Sequence, residues 1–457
     1  MSFTLEITLL FASALLLIGL VLRATCKLFQ TLYIPAAVLG GLIGLVLLQV
    51  AQHWPSQPNT WMSEQASLLV AELRTWPGWL IAIVFAGLFL DKPAKPFQES
   101  IRGAAQQGIV VWIICLGQIG LGIMAVWALI QPFGMWPLST DTPIYLGQLI
   151  EAGFVGGHGT SAALGEIYGE MGFPESKDLG FFMATVGLVY SVVSGIVFVN
   201  LAVRRGWTRA GHVTIPQRSG LEARHQLESI GQAKVNAEVL DPLVFQLLIL
   251  AGAYCLGIAI QQIASMVYDK LPLFIYTLIG GWMVRTGMQR LGIADLLDAL
   301  TIRRLVATAM EFLVVAAVAS LNMTLIIKAI IPLSVLLVVG FLWTAVCLLH
   351  VGRRLLPSKY WFELGILNYG MSTGVTASGL MLLRIIDKDF ESGAAEDYAL
   401  AAPLSAPFVG GGIVTLALIP SMLQLFGLLP VALITLAVAA VLYVVGIWLV
   451  KRTRSDM

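Results

Sequence analysis

Charge is what this chain has least of. Asp, Glu, Lys and Arg make up 12% of its 457 residues, about half the share found in a soluble globular domain. Hydrophobic residues make up 58% and the mean hydropathy is +0.87, so the chain cannot cover its own surface in water. A soluble enzyme, a disordered chain and a collagen-like chain are all excluded. The 27 basic and 26 acidic residues leave a net charge of +1, which gives no electrostatic footprint for nucleic acid. Cysteine is sparse too: Cys26, Cys115, Cys255 and Cys347 lie in or beside apolar stretches with no CxxC pair. They read as small core residues, neither a disulfide framework nor a zinc site. No Walker loop, HExxH, GxSxG or histidine pair at metal spacing occurs. The expectation is a protein that is not an enzyme, has no cofactor, and draws its energy from an ion gradient.

Long apolar runs are what the chain has most of. Crossing a bilayer takes roughly 20 apolar helical residues. Clear spans cover 4–22, 108–130, 179–203, 242–268, 325–350 and 428–450. Weaker or interrupted ones cover 32–50, 77–91, 271–289, 305–322 and 398–425. Backbone groups in lipid are satisfied only by helices or closed barrels, and unbroken apolar runs without alternation choose helices. The first run has no basic flank before it and no small-residue cleavage site before Arg23, so it is expected to remain as a helix. The polar stretch 51–76 is expected to hold a short interfacial helix around 64–74.

Two further stretches, 143–168 and 361–386, are apolar at the ends but rich in glycine and polar residues in the middle. Lys and Arg collect in cytoplasmic loops. The segment 204–241, with Arg204, Arg205, Arg209, Arg218, Arg224 and Lys234, should lie inside, as should the C-terminus with Lys451, Arg452 and Arg454. Counting every stretch as a full crossing puts 204–241 outside. Letting 143–168 and 361–386 each enter and leave by one face puts it inside. Of the 27 Lys and Arg, only Arg74, Lys177, Lys270 and Lys328 are then left outside. Lys92, Lys95 and Lys388 fall inside with the rest.

That topology contains an internal repeat. The expected fold is an all-α polytopic membrane protein of two inverted repeats. Each has five transmembrane helices plus a re-entrant hairpin, and one extra helix follows at the C-terminus. The first repeat covers 1–203 with hairpin 143–168, and the connecting cytoplasmic loop covers 204–241. The second repeat covers 242–427 with hairpin 361–386, and 428–457 is the extra helix and tail. A weak echo, IPAAVLGGLIG at 34–44 against LPLFIYTLIGG at 271–281, supports it. Inverted repeats with interrupted helices are the design of secondary transporters, with the site at the midplane. The alternative is a pair of kinked helices whose glycines serve close packing.

The first hairpin carries Gly153, Gly156, Gly157 and Gly159 within seven residues, enough to weaken a continuous helix. Thr160 and Ser161 stand where a new half-helix would start, as good N-cap types, presenting N–H groups to an anion. Unwound carbonyls there suit a hard cation such as sodium. The second hairpin carries Asn368, Ser372, Thr373, Thr376 and Ser378, with Gly370 and Gly374 placed to break it over 370–374.

Ionisable residues within a span are rare and costly. Glu151 is a candidate for a cation or a proton. Glu311 is either the same or an interfacial residue pairing with Arg303 or Arg304. Arg384, followed by Asp387 and Asp389, reads as an interfacial anchor. Pro403, Pro407 and the run 410–412 interrupt the last span of the second half, either bending it against the hairpin or letting it pack closely.

At the hairpins the chain resembles the bacterial sodium:glutamate symporter family. GGHGT at 156–160, followed by a small-residue arm, looks like that family's first hairpin, and the IPAAVLGG helix and segment order match more loosely. By that resemblance Gly156, Gly157, His158, Gly159 and Thr160 are first-hairpin site positions. The second tip, Asn368-Tyr369-Gly370-Met371-Ser372-Thr373-Gly374, departs from the family's richer glycine and alanine pattern, and Glu151 stands where small hydroxyl or apolar residues are common. The resemblance implies a homodimer in the cytoplasmic (inner) membrane that imports an acidic amino acid with sodium, by an elevator-like movement.

The leading expectation is therefore sodium-coupled symport of glutamate or a related carboxylate. Gly157, His158, Gly159, Thr160, Ser161, Asn368, Ser372, Thr373 and Thr376 would bind substrate. Glu151, Gly156, Gly157, Asn368 and Tyr369 would bind sodium. The alternative is a proton-coupled or exchange transporter of another organic anion, using Glu151. From a different class, a membrane sensor or anchor is the remaining reading, and it predicts an appended soluble signalling domain or long tail.

Overall fold

The computed structural model describes residues 5–31, 34–53, 61–88, 90, 101–138, 143–208, 234–266, 273–387, 392–405 and 407–455. The expectations for 209–233 of the connecting loop, and for Lys92, Lys95, Lys270, Lys388 and Asp389, fall outside the described residues. Every regular element among those described is helical.

The first half gives α1 (Leu5–Thr25), α2 (Ala36–His53), α3 (Trp61–Leu88), α4 (Ile101–Ala125), α5 (Leu149–Gly153), α6 (Gly157–Glu170) and α7 (Ser176–Arg204). The second half gives α8 (Pro242–Ala264), α9 (Leu273–Arg290), α10 (Ala299–Ala319), α11 (Ile330–Val346), α12 (Trp361–Thr373), α13 (Thr376–Ile386), α14 (Ala394–Ser405), α15 (Ile419–Phe426) and α16 (Leu428–Ser455). Seven helices among the described residues are long and apolar enough to cross a membrane: Leu5–Thr25, Trp61–Gly87, Ala105–Ile130, Ser176–Arg204, Pro242–Ala264, Ile330–Leu355 and Leu428–Lys451.

Two local expectations change. The interfacial helix expected around 64–74 is the first part of α3, which runs unbroken for 28 residues through Pro77. Its polar start and apolar end are one helix because nothing between them breaks the ladder except one proline, which membrane helices tolerate. Of the four cysteines, Cys115 and Cys347 are buried core residues, whereas Cys26 is half-buried and Cys255 exposed.

The chain divides into two compact units, and neither follows the halves of the sequence. One unit comprises Met1–Cys26, Pro35–Pro96 and Ser219–Leu321. It holds α1 to α3 from the first half and α8 to α10 from the second. The other comprises Lys27–Ile34, Phe97–Arg218 and Asn322–Met457, and holds α4 to α7 with α11 to α16. We call them the glycine-packed unit and the hairpin unit.

In the glycine-packed unit, close approach of backbones does the work that hydrophobic collapse does in water. A Cβ on Gly40 of α2 would lie 2.3 Å from the Leu15 carbonyl oxygen of α1. A Cβ on Gly280 of α9 would lie 2.3 Å from the Ala253 carbonyl oxygen of α8. The next residue in each helix faces the other half: a Cβ on Gly41 would meet Val318 of α10 at 2.6 Å, and one on Gly281 would meet the Ala86 carbonyl of α3 at 2.2 Å. The two Gly-Gly pairs thus play matching roles. The sequence echo at 34–44 and 271–281 had them out of register, because the lead from proline to glycine is longer in the second half. Side-chain anchors join helix backbones: the Thr277 hydroxyl donates to the Ala82 carbonyl at 2.8 Å and the Gln246 amide to the Leu296 carbonyl at 2.8 Å. Helix α8 starts where Asp241 caps it, accepting from the Leu243 and Val244 N–H groups ahead of Pro242, a standard start signal.

In the hairpin unit, α4 packs against α11, α14 and α16, while α7 packs against both hairpins. Gly117 opens a slot for the Trp343 indole, whose N–H donates to the Ile114 carbonyl at 3.0 Å. Both α4 and α11 end in π-helical turns, Val126–Ile130 and Cys347–Gly352. Such turns are rare and cluster at functional sites.

Candidate functional site

Each expected hairpin is a pair of short helical arms. In the first, α5 ends at Gly153 and α6 starts at Gly157, whose φ of +63° is left-handed and suits glycine. In the second, α12 runs through Gly370 to Thr373, and the break falls at Gly374 and Val375 rather than across 370–374. Gly370 serves arm-to-arm packing instead: a Cβ there would lie 2.6 Å from the Gly379 Cα.

The two tips meet. A Cβ on Gly157 would lie 3.5 Å from Val375 Cγ1 and 3.8 Å from the Gly374 carbonyl oxygen. Helix α6 opens on Gly156 with no side-chain cap, whereas α13 opens on Val375, whose own N–H donates to Ser378 Oγ at 3.0 Å. Two helix starts, the first of them uncapped, therefore adjoin at the buried Gly157 and Gly374. Thr160 and Ser161 lie inside α6 rather than at its cap. Ser372 and Thr373 sit at the C-terminal end of α12, where their hydroxyls donate back to the Tyr369 carbonyl at 3.3 and 2.6 Å.

Helix α7 braces both tips. His158 Nε2 lies 3.0 Å from the Thr185 hydroxyl oxygen, and that hydroxyl donates to the Phe181 carbonyl at 2.8 Å. The single hydroxyl proton is thus in use, so His158 Nε2–H is the donor in the pair. On the second hairpin the Ser191 hydroxyl donates to the Gly370 carbonyl at 3.1 Å, and Gly187 leaves room for the Thr373 carbonyl.

A third break completes the cluster. The run 410–412 lies between α14 and a π-turn, Val414–Leu418, and it bends onto the first hairpin. The Gly410 N–H donates to Glu151 Oε1 at 2.8 Å, and the Thr415 hydroxyl donates to the same oxygen at 2.7 Å. The Gly410 carbonyl accepts from the Thr160 hydroxyl at 3.4 Å. Both arms of the first hairpin therefore grip one residue, Gly410, by its N–H and its carbonyl. Gly410 and Gly411 have φ of +67° and +101°, and a Cβ on Gly411 would lie 2.5 Å from Thr160 Oγ1. Glu151 is fully buried, and its Oε2 makes no hydrogen bond. Beside it, the Gln148 amide donates to the Thr415 carbonyl at 2.7 Å and accepts from the Tyr168 hydroxyl. The Ser161 hydroxyl ties the two arms by donating to the Ala152 carbonyl at 3.2 Å.

The remaining expected residues are engaged differently. Asn368 forms a reciprocal amide pair with Gln107 of α4, with Nδ2 donating to Oε1 at 2.8 Å. The Tyr369 hydroxyl lies 2.6 Å from Ser194 Oγ. Thr376 is exposed and lies 3.2 Å from the Tyr398 hydroxyl. Gln118 of α4 donates to the Ser372 carbonyl at 2.8 Å. The sequence reading passed over Gln107, Gln118, Gln148, Thr185, Ser191 and Thr415. Buried amides within apolar helices were the available signal, since each must find a partner.

Among the described residues no cluster of His, Cys, Asp and Glu suits a transition-metal site. A site of backbone groups, hydroxyls and one carboxylate suits an alkali cation or an organic anion instead. Interrupted helices with a buried polar interior, and seven candidate spans among the described residues, indicate a multi-pass membrane protein. The family model for the sodium/glutamate symporter matches residues 109–391, and the chain belongs to that family. The match takes in both hairpins and stops short of Gly410 and Thr415. None of the curated proteins compared matches this chain.

Proposed function

We propose that the protein is a sodium-coupled symporter of glutamate or a related carboxylate. The observation that carries this reading is the meeting of the starts of α6 and α13 at Gly157, Gly374 and Val375. Such starts present N–H donors and the positive end of the helix dipole to a carboxylate. Gly157, His158, Gly159, Thr160 and Ser161 line the first start. Thr376 opens the second, with Asn368, Ser372 and Thr373 behind it. Sodium takes the tip carbonyls near Gly156, Gly157, Asn368 and Tyr369, with Glu151 as counter-charge. Sodium then favours the substrate-competent state, and substrate favours sodium binding by the same factor.

Two inverted repeats, 1–203 and 242–427, give the architecture, with 204–241 as cytoplasmic connection and 428–457 as an added helix. The presence of both halves in each unit supports this, as do the matching roles of Gly40–Gly41 and Gly280–Gly281. The protein works as a homodimer in the inner membrane with its C-terminus in the cytoplasm, and the hairpin unit moves as an elevator.

The test is uptake of labelled L-glutamate into proteoliposomes, with an inward sodium gradient and then with potassium in its place. Accumulation that needs sodium is expected. Accumulation without it, or none from folded protein, overturns the assignment. Thr160→Val is expected to weaken substrate affinity with no loss of protein from the membrane, and unchanged uptake would refute the site.

One observation favours a second reading. The unpartnered Oε2 of buried Glu151 is a place for a proton, which would make the protein a proton-coupled or exchange transporter of another organic anion. Uptake would then follow a pH gradient in the absence of sodium and vanish in Glu151→Gln.

A further inference from the structure

We propose that Arg205 and Arg353, lying over the Trp207 and Trp361 rings, form a binding site for the phosphate of an anionic phospholipid. The four residues come from three places that the fold brings to one end of the hairpin unit. Arg205 and Trp207 follow the span Ser176–Arg204, Arg353 stands near the end of the span Ile330–Leu355, and Trp361 opens the second hairpin. Ends of spans lie at the hydrocarbon boundary, where Trp and Arg are favoured and where the phosphates of the lipid lie.

The platform is rigid. The two indole rings are 5.5 Å apart, and Phe362 packs against both. Beneath them lies a core that includes Val199, Ala202, Leu355 and Leu356. The Arg353 guanidinium lies 5.7 Å from the Trp207 ring and 5.8 Å from the Trp361 ring, and that of Arg205 lies 5.7 Å from Trp207. Cation–π contact holds each guanidinium beside an indole, and a guanidinium's planar fork of donors matches phosphate through two parallel bonds.

Charge points the same way. Two cations share one indole ring, and no carboxylate bonds to either among the described residues. Arg204, Arg354 and Lys359 are exposed close by in sequence. Of the nearby acids, Glu363 is buried, and Asp397 takes the Tyr360 hydroxyl at 2.6 Å. An anion between the arginines relieves their repulsion, and at this depth the abundant anion is a lipid phosphate.

The test uses the full chain, purified and delipidated in detergent. Native mass spectrometry and thermal unfolding are read with phosphatidylglycerol, phosphatidylcholine and inorganic phosphate added separately. We expect phosphatidylglycerol to be retained several-fold more than phosphatidylcholine and to raise the unfolding midpoint. Arg353→Gln and Arg353→Lys should each lower its affinity at least fivefold, since lysine keeps the charge but loses the plane. Arg205→Gln, an exposed change, should act in the same direction and guards against a folding defect at Arg353. Equal retention of the two lipids, or unchanged phosphatidylglycerol affinity in both glutamine variants, overturns the proposal. Stabilisation by inorganic phosphate equal to that by phosphatidylglycerol assigns the site to a free anion and overturns the lipid assignment.

Discussion

The two units handle the absence of water in opposite ways. In the glycine-packed unit, polar side chains are few in the interior and helix backbones touch at Gly19, Gly40, Gly257 and Gly280. In the hairpin unit, helices are interrupted and the freed groups are gathered into buried networks around Gln107, Gln118, Gln148, Glu151 and Asn368. Backbone contact gives one stiff packing with little to rearrange. Networks that bridge broken helices can exchange partners. The contrast follows from where glycine removes a side chain and where it breaks a helix.

The sharpest break of this comparison is steric. Gly40→Leu or Gly280→Leu drives a side chain into a carbonyl 2.3 Å away, and backbone has nowhere to go. A loss of about 3 kcal/mol is expected, seen as a collapse of monodisperse protein yield and thermal midpoint in detergent. Near-normal midpoints in both variants would mean that the glycine-packed unit is softer than its packing implies.

Next comes Glu151. Glu151→Ala strips the acceptor from Gly410 N–H and Thr415, each unmet donor costing about 1–3 kcal/mol, and both midpoint and uptake should fall. Glu151→Gln keeps an acceptor oxygen. Its midpoint should stay near that of the wild type, so any change in uptake reports the charge alone. A Gln variant as unstable as the Ala variant would contradict this division.

A smaller effect tests whether the networks act as units. Gln107→Ala, Asn368→Ala and the double variant form a cycle with an expected coupling of about 1–2 kcal/mol, read from unfolding midpoints. Additive losses would show that the amide pair is not a joint. Smallest is Thr185→Val, which leaves His158 Nε2–H without its acceptor and should cost about 1 kcal/mol. A larger fall in glutamate affinity than in stability would place His158 closer to the substrate than its bond to Thr185 suggests.

Much of the molecule was legible before folding. Six of the seven spans, the two glycine hairpins and the unusual Glu151 are visible in residue order, because helix formation and hydropathy are local. Details drifted where local signals compete. Thr160 and Ser161 looked like caps, but α6 begins three residues earlier, since Gly157 can take a positive φ and threonine cannot without strain. The stretch at 64–74 looked like a separate helix because its polarity differs from that of 77–91, yet polarity does not end a helix.

What sequence alone determined about this protein is its solvent, its helices and the places where they break. Those follow from apolar length and from glycine, whatever else the chain touches. Tertiary structure alone decided that each half serves both units, that α7 braces both tips, and that the backbone of Gly410 is held by Glu151 and Thr160. The partners in that grip are 259 and 250 residues apart. No period or motif links such positions. They meet because buried donors and acceptors in a dry interior must find each other, and only the folded chain fixes which of them are within reach.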